Sequence, residues 1–394
     1  MVGFCWCVGP HFQVFVRLAP VSASQVAQSV ATLMTSMTQS IDQQNDELRL
    51  YDFELPRELI AQEPLPQRTD ARMMVIDRER QTIEHAYVRD MPGILRAGDV
   101  VVVNDSKVVP ARLIGYRTLT RGRWEGLFLR EGEQSIAEAL CKTRGKIAIG
   151  ETVTLRDREG RDQAKLVVLG HGVEGRLLLR PEPLEPWPEL LARCGRVPLP
   201  PYIRDGQMVD DDRIRYQTVY ARAEGSVAAP TAGLHFTPQL IQQLRGSGVA
   251  LVSVTLHVGL GTFRPIHAKT LDEHKMHSEF GELTEAVVKR LSLARAEGGR
   301  SIAIGTTSVR VLESAAMASA SGLQAWQGET DIFIRPGHSF KAVDGLLTNF
   351  HLPRSSLLVL VSAFAGLELI QRAYEEAIRE RYRFYSYGDC MLIL

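Results

Sequence analysis

Hydrophobic and polar positions alternate from Val249 to Val258: Ala250, Val252, Val254, Leu256 and Val258 fall on one side, and Leu251, Ser253, Thr255 and His257 on the other. A period of two is that of a strand with two unlike faces. Ahead of it, Thr237-Pro238 predicts a helix start, because the threonine oxygen accepts an orphan N–H and proline at the first helical position loses no bond; Gly246 and Gly248 stop the helix. The strand breaks into the loop Gly259-Leu260-Gly261-Thr262. Similar units recur. Val100 to Val103 are wholly apolar and run into Asn104-Asp105-Ser106-Lys107; Ile302 to Ile304 lead to Thr306-Thr307-Ser308 and a helix; Ile332 to Ile334 predict a strand before Pro336-Gly337. Leu346-Leu347 runs into Thr348-Asn349-Phe350-His351, Ser355 or Ser356 caps an apolar helix, and a last helix keeps Ile370, Ala373, Tyr374, Ala377 and Ile378 on one face. Buried strands alternating with helices predict an α/β fold, and in such folds ligands bind beyond the carboxyl ends of the strands.

Between about Ile114 and Pro186 the pattern changes to short alternating strands (RWEGLFL, KIAIGETVTLRD, AKLVVLG, GRLLLR) with no helical period. Strands spaced in this way predict a small β-barrel inserted into the main fold. The chain of 394 residues exceeds the ~250–300 at which single cores stop growing, which also favours two domains. The expected division is a large α/β domain from residues 51–113 and 187–394, with the inserted small β-barrel domain at 114–186. Residues 1–50 read as a disordered extension: within residues 1–40 Arg17 is the only lysine or arginine, and no acid occurs before Asp42. No positive charge precedes the apolar stretch, as a signal peptide requires, and Met37 reads as a plausible true start.

Lys plus Arg and Asp plus Glu both number 46, so a polyanionic partner must be met by a local basic patch. One exists. From Lys107 to Lys146 nine basic residues face four acids, and Lys107, Arg117, Arg121, Arg123, Lys142, Arg144 and Lys146 are the candidates for tracking phosphates. No apolar run reaches membrane-spanning length, and the five cysteines (5, 7, 141, 194, 390) form no pair at zinc spacing. A cytoplasmic protein with no metal and no membrane attachment is expected.

Familiar cofactor motifs are missing. GLGTFR carries Arg264 where a dinucleotide fingerprint needs its third glycine, and there is no GxxxxGK[ST], HExxH or GxSxG sequence. What remains is a set of polar loops after buried strands: NDSK, PTAGLHF, HVGLGTF, GTTSVR and TNFHLP. His257 and Thr262 fall at a strand end. Thr306, Thr307 and Ser308 open a helix, where free N–H groups and the dipole favour an anion, with Arg310 one turn in.

The motifs NDSKVVPARL, YQTVYA, AAPTAGLHFT, LHVGLGTFRP, MHSE, GTTSVRVLES, GLLTNFHLPRSSLLVLVSAFAG and YGDCMLIL, in this order across residues 51–394, resemble those of the S-adenosylmethionine:tRNA ribosyltransferase-isomerases of queuosine biosynthesis. The N-terminal extension lies outside that pattern, the barrel segment follows it loosely, and His338 stands where tyrosine is expected. The resemblance implies transfer and isomerisation of the ribosyl group of S-adenosylmethionine onto 7-aminomethyl-7-deazaguanine at the tRNA wobble position, giving epoxyqueuosine-tRNA, adenine and methionine. S-adenosylmethionine is then a ribosyl-donor substrate, there is no separate cofactor, and the partners are that tRNA and S-adenosylmethionine, with a monomer expected. Such chemistry needs proton-transfer groups and a seat for the methionine carboxylate. His257, His235 and Glu279 are the candidates for the first, and Thr306, Thr307, Ser308 and Arg310 for the second. Asn349 and His351 are candidates to orient ribose or base, and Asp105 or Arg112 to read the guanine edge. Two other readings of the residues stay open: an S-adenosylmethionine-dependent RNA methyltransferase, and a non-catalytic RNA-binding protein.

Overall fold

The computed structural model describes residues 47–259, 266, 268, 270–320 and 322–394. A nine-stranded mixed sheet forms the frame. It contains β1 (Arg72–Asp77), β2 (Thr82–Tyr87), β3 (Val100–Asn104), β12 (Ala250–Leu256), β13 (Glu279–Leu283), β14 (Ser301–Ile304), β15 (Trp326–Thr330), β16 (Gly345–Asn349) and β17 (Cys390–Ile393), in the spatial order β15-β13-β12-β3-β14-β16-β17-β1-β2. The intervening strands are β4 (Ser106–Val108), which pairs with β11 (Ala223–Ser226), and the six of the barrel. At the centre β12, β3, β14 and β16 run parallel, with Val252 opposite Val102, Ala303 opposite Val102 on the other side, and Ile304 opposite Leu347.

The run Val100–Val103 is apolar throughout because this strand is covered on both faces. Val100 and Val102 pack with Val254, Leu256, Ala303 and Leu346 in one core, and Val101 and Val103 with Ile302, Ile304, Leu347 and Phe236 in the other. The short helices α1 (Met91–Ile94) and α3 (Asp212–Arg215) and the single-turn segments aside, the covering helices are α4 (Pro238–Gly246) on the second face and α5 (Glu285–Ala296), α6 (Thr306–Met317), α7 (Ser356–Ala365) and α8 (Leu367–Arg379) on the first. Helix α4 begins as expected: Thr237 accepts the Leu240 N–H at 3.1 Å. Ser355 caps α7 in the same way, at 3.2 Å from the Leu358 N–H.

The barrel is closed, in the order β10-β7-β6-β5-β8-β9, from β5 (Arg112–Arg117), β6 (Arg123–Glu131), β7 (Ala137–Thr143), β8 (Thr152–Arg156), β9 (Asp162–His171) and β10 (Arg176–Glu182). It is filled by Leu113, Trp124, Leu155, Leu166, Val168, Leu177 and Leu179, and α2 (Trp187–Cys194) joins this core through Trp187, Leu190 and Leu191. The fold is thus a large α/β domain with a small inserted β-barrel.

One expectation fails locally. Ile332 to Ile334 form no strand; the sheet edge is β15, six residues earlier, and Ile334 is a buried core residue in an irregular segment. On the polar side of β12 Thr255 is buried, and its hydroxyl donates to Asp105 Oδ1 at 2.7 Å. Strand β17, which the sequence reading left undescribed, completes the sheet between β16 and β1.

Candidate active site

The carboxyl ends of β12, β14 and β16 open on one side of the sheet. There a cleft of about 660 Å³ is walled by Pro230, Thr231 and Ala232, by Val258 after β12, by Gly305, Thr306 and Thr307 after β14, and by Thr348 to Leu352 at the end of β16. Gly305 has φ +85°, a conformation that lets the chain turn from β14 directly into α6. As the cap residue it offers no side chain to the helix N-terminus. Thr306 and Thr307 are buried, and the Thr307 hydroxyl has no hydrogen-bond partner among the described residues although Thr307 lies in the cleft wall. A buried hydroxyl beside the open N-terminus of a twelve-residue helix is suited to receive a carboxylate. Ser308 is turned the other way, its hydroxyl donating to Ile304 O at 2.9 Å.

Arg310 does not join this seat. Its Nη1 is paired with Glu279 Oε2, and its Nη2 donates to Thr330 O at 3.1 Å. Both side chains are 3 % exposed. The other carboxylate oxygen of Glu279 accepts the Gly259 N–H at 2.8 Å. Glu279 therefore ties α6 to the segment that follows β12, and its oxygens are committed to that bridge.

His257 directly follows β12 on that same segment, next to Val258 of the cleft wall but not itself among the lining residues. Its backbone N–H donates to Phe280 O at 2.9 Å, and its ring stacks on Phe280 with centroids 6.1 Å apart. Gly225 also lies against the ring, and a β-carbon there would be 3.3 Å from the imidazole; φ of +132° and this close approach both call for glycine. Nδ1 is buried without a hydrogen-bond partner among the described residues. Burial lowers the imidazole pKa below its ordinary value, an effect partly offset by the charges of Asp105 and Glu282. Asp105 is buried: Oδ1 accepts from Thr255 and Oδ2 from Arg222 Nη2 at 2.9 Å. Thr262 lies outside the described residues.

In the cleft wall an amide network holds Asn349. Its Oδ1 accepts from Thr231 Oγ1 at 2.9 Å, and its Nδ2 donates to Asp389 O and to His235 Nε2, both at 3.3 Å. This fixes the amide orientation and makes Nε2 of His235 the acceptor. Burial pushes the His235 pKa down to about 4 and that of His351 to about 3. His351 Nε2 meets the Thr348 hydroxyl at 2.8 Å, and its backbone N–H donates to Tyr374 OH at 2.8 Å. Both histidines are neutral at physiological pH and act as oriented hydrogen-bonding groups.

The remaining candidates lie elsewhere. Arg112 is at the root of the barrel, its Nε donating to Glu125 at 2.7 Å and its Nη1 to Gly206 O, so it is a tie between barrel and main domain and not a cleft residue. Of the basic set, Lys107 pairs with Glu224 at 2.7 Å and Arg117 takes both oxygens of Glu151. Arg123 lies 3.6 Å from Glu125, and Arg121 stacks over Tyr116 at 4.1 Å. Lys142, Arg144 and Lys146 are exposed on β7 and the loop after it. Sequence reasoning missed Thr231, Tyr202 and Ser386 as wall residues; nothing local marks them, since they reach the cleft from distant segments.

The sequence profile of queuosine biosynthesis proteins matches residues 48–393. The chain is 49 % identical over 345 residues to the S-adenosylmethionine:tRNA ribosyltransferase-isomerase of Moorella thermoacetica, and 46 % identical over 344 residues to that of Desulforamulus reducens; each match covers 87 % of this chain and 98 % of the relative. Among solved structures, S-adenosylmethionine tRNA ribosyltransferase from Thermotoga maritima is similar with a TM-score of 0.50 and 36 % identity, over 88 % of this chain and 100 % of that one. Agreement across the whole described α/β frame and the barrel places the chain in the queuosine biosynthesis protein family.

Proposed function

We propose that this protein transfers the ribosyl group of S-adenosylmethionine to 7-aminomethyl-7-deazaguanine at the wobble position of tRNA and isomerises it, releasing adenine and methionine. The observation that carries this is the match to named ribosyltransferase-isomerases over 98 % of their length. The cleft supports a division of labour. The α6 N-terminus with Thr306 and Thr307 suits the methionine carboxylate, and Asn349, fixed by Thr231 and His235, suits the ribose or the base. The sulfonium acidifies the adjacent ribose carbon, and a neutral imidazole is the group to take that proton. Of the candidates His257 fits best: it adjoins Val258 of the cleft wall, and its buried Nδ1 has no hydrogen-bond partner among the described residues, whereas Glu279 is committed to Gly259 and Arg310. His235 and His351 are too weakly basic for that role and serve in orientation.

S-adenosylmethionine is consumed as a substrate, and no further cofactor is required. The residues 51–113 and 187–394 form the catalytic part and the barrel, 114–186, meets the RNA; the enzyme works as a monomer in the cytoplasm. The modified base is splayed out of the anticodon stack to reach the cleft. The test is a product assay: protein, S-adenosylmethionine and tRNA bearing the 7-aminomethyl-7-deazaguanine base, with released purine followed by chromatography. Adenine and methionine formed only with that tRNA are expected. Release of S-adenosylhomocysteine would overturn the proposal in favour of methyl transfer.

A further inference from the structure

A second hollow, of about 310 Å³, lies beside the cleft: Ser386 borders both, and His235, which bonds Asn349 of the cleft, lines it. Its other polar walls are Arg68, Arg215 and Tyr387, and among the described residues no carboxylate lines it. Arg68 is anchored by backbone carbonyls, Nη1 on Gln217 O at 3.0 Å and Nη2 on Ile214 O and Arg215 O at 3.3 and 3.2 Å, three bonds from a group with five N–H donors. Arg215 Nη2 donates to Leu65 O, and its Nε is buried with no acceptor. Arg383, near enough for its charge to act on His235, donates from Nη2 to Glu63 O, while its Nη1 is likewise buried and unmatched among the described residues. The nearest acid to Arg383, Asp389, has its two oxygens on the backbone N–H groups of Arg383 and Arg72, at 2.8 and 3.0 Å.

Half-buried guanidinium groups ordinarily sit on carboxylates, since desolvating a cation without an anion is costly. Here they are held in place by carbonyls, close enough that the charge of Arg215 depresses the Arg68 pKa, after burial itself. The fold has oriented these cations and left their counter-charge out. A planar guanidinium fork matches a phosphate, and a wall between two arginines accepts one phosphodiester.

We propose that Arg68 and Arg215 form a phosphodiester seat beside the cleft, filled by the tRNA backbone flanking the nucleotide being modified; this rests on the function proposed above. Splaying one base from a loop swings its backbone, and a fixed grip on the neighbouring phosphate holds the base in the cleft. Arg383 supports the seat. S-adenosylmethionine carries no phosphate and makes no use of it.

The test measures binding of a tRNA anticodon stem-loop to the full chain by fluorescence anisotropy across a salt series, for wild type, Arg68→Gln and Arg215→Gln, with S-adenosylmethionine affinity determined alongside. Each variant is expected to bind RNA about tenfold more weakly, with the slope of log K against log salt shallower by about 0.7, and to bind S-adenosylmethionine as wild type does. A parallel series replaces single phosphates within two nucleotides of the wobble position by uncharged methylphosphonate. One replacement is expected to weaken the wild type but not Arg215→Gln, a readout that loss of fold cannot imitate. Unchanged RNA affinity in both variants, or methylphosphonate losses that simply add to theirs, would overturn the seat while a wild type that releases adenine keeps the functional reading. A wild type that releases none overturns both.

Discussion

The Thr307 hydroxyl is the most economical residue-scale probe of the cleft, because it has no partner among the described residues to lose. Thr307→Val removes it at nearly constant volume, so unfolding free energy is expected to change by less than about 1 kcal/mol, while KM for S-adenosylmethionine rises about tenfold with a smaller fall in kcat. Steady-state kinetics with a parallel urea melt checks both; an unchanged KM removes Thr307 from the seat. For His257→Ala the expectation is reversed: kcat falls by about 10²–10⁴ and S-adenosylmethionine affinity is nearly kept, as read by single-turnover adenine release. The lowered His257 pKa also places the acid limb of the kcat/KM profile below the ordinary histidine value. The deeper histidines report on stability. His235 and His351 have folded pKa values of about 4 and about 3, depressed from the unfolded value. Their stabilisation is therefore full above the ordinary histidine pKa and is lost as pH falls through the window between unfolded and folded values. At pH 5 each is expected to have cost about 2 kcal/mol relative to pH 7. Denaturant titrations at the two pH values measure the sum, and His351→Asn should flatten the difference by about half.

At the scale of elements, the Arg310–Glu279 pair joins α6, the start of β13 and the Gly259 segment after His257. Removing one partner of a buried pair leaves a charge unpaired, so Arg310→Met is expected to destabilise by about 3–5 kcal/mol. The double variant with Glu279→Gln should recover part of that, because no charge is then stranded. A double-mutant cycle by urea unfolding measures the coupling, and strict additivity would show that the pair is not a unit. This pair also marks the limit of what sequence conveys. The strand-to-loop periodicity of Val100–Asn104, Ala250–Leu256 and Ser301–Ile304 follows from side-chain alternation, a local property, and the cleft's position follows from strand direction. Which arginine meets which carboxylate is a matter of register between segments tens of residues apart. Arg310 looks like an anion ligand beside Thr306, and Arg112 like a reader of the base, until Glu279 and Glu125 are seen to occupy them. The misplaced strand at Ile332 has the same origin: an isolated apolar triplet satisfies burial without pairing, and Trp326–Thr330 takes the edge because it lies against β13, with Gly328 opposite Gly281.

For the molecule as a whole, the balanced charge makes recognition of a polyanion depend on which basic groups are already paired. Counting arginines along Lys107–Lys146 cannot distinguish them, but the folded chain does. Arg117 is locked on Glu151, and Lys107 on Glu224, so each meets a phosphate only by giving up a carboxylate. Lys142, Arg144 and Lys146 stand exposed at the barrel end beside the turn that carries Arg121 and Arg123, since Lys142 lies opposite Glu125 in the β6–β7 ladder and Arg144 O accepts from Arg117. Phosphates released of counterions give each free cation a slope contribution of about 0.7–0.9. Substituting Arg144 and Lys146 by glutamine together is therefore expected to weaken tRNA binding most at low salt, with the log–log slope reduced by about 1.5, and to leave S-adenosylmethionine binding unchanged. Arg117→Gln is expected to leave the slope nearly as it was and to show instead as a lower melting temperature of the barrel. Fluorescence anisotropy across a salt series separates the two outcomes, and a slope that falls for Arg117→Gln but not for the Arg144 and Lys146 pair would move the RNA path off this end of the barrel.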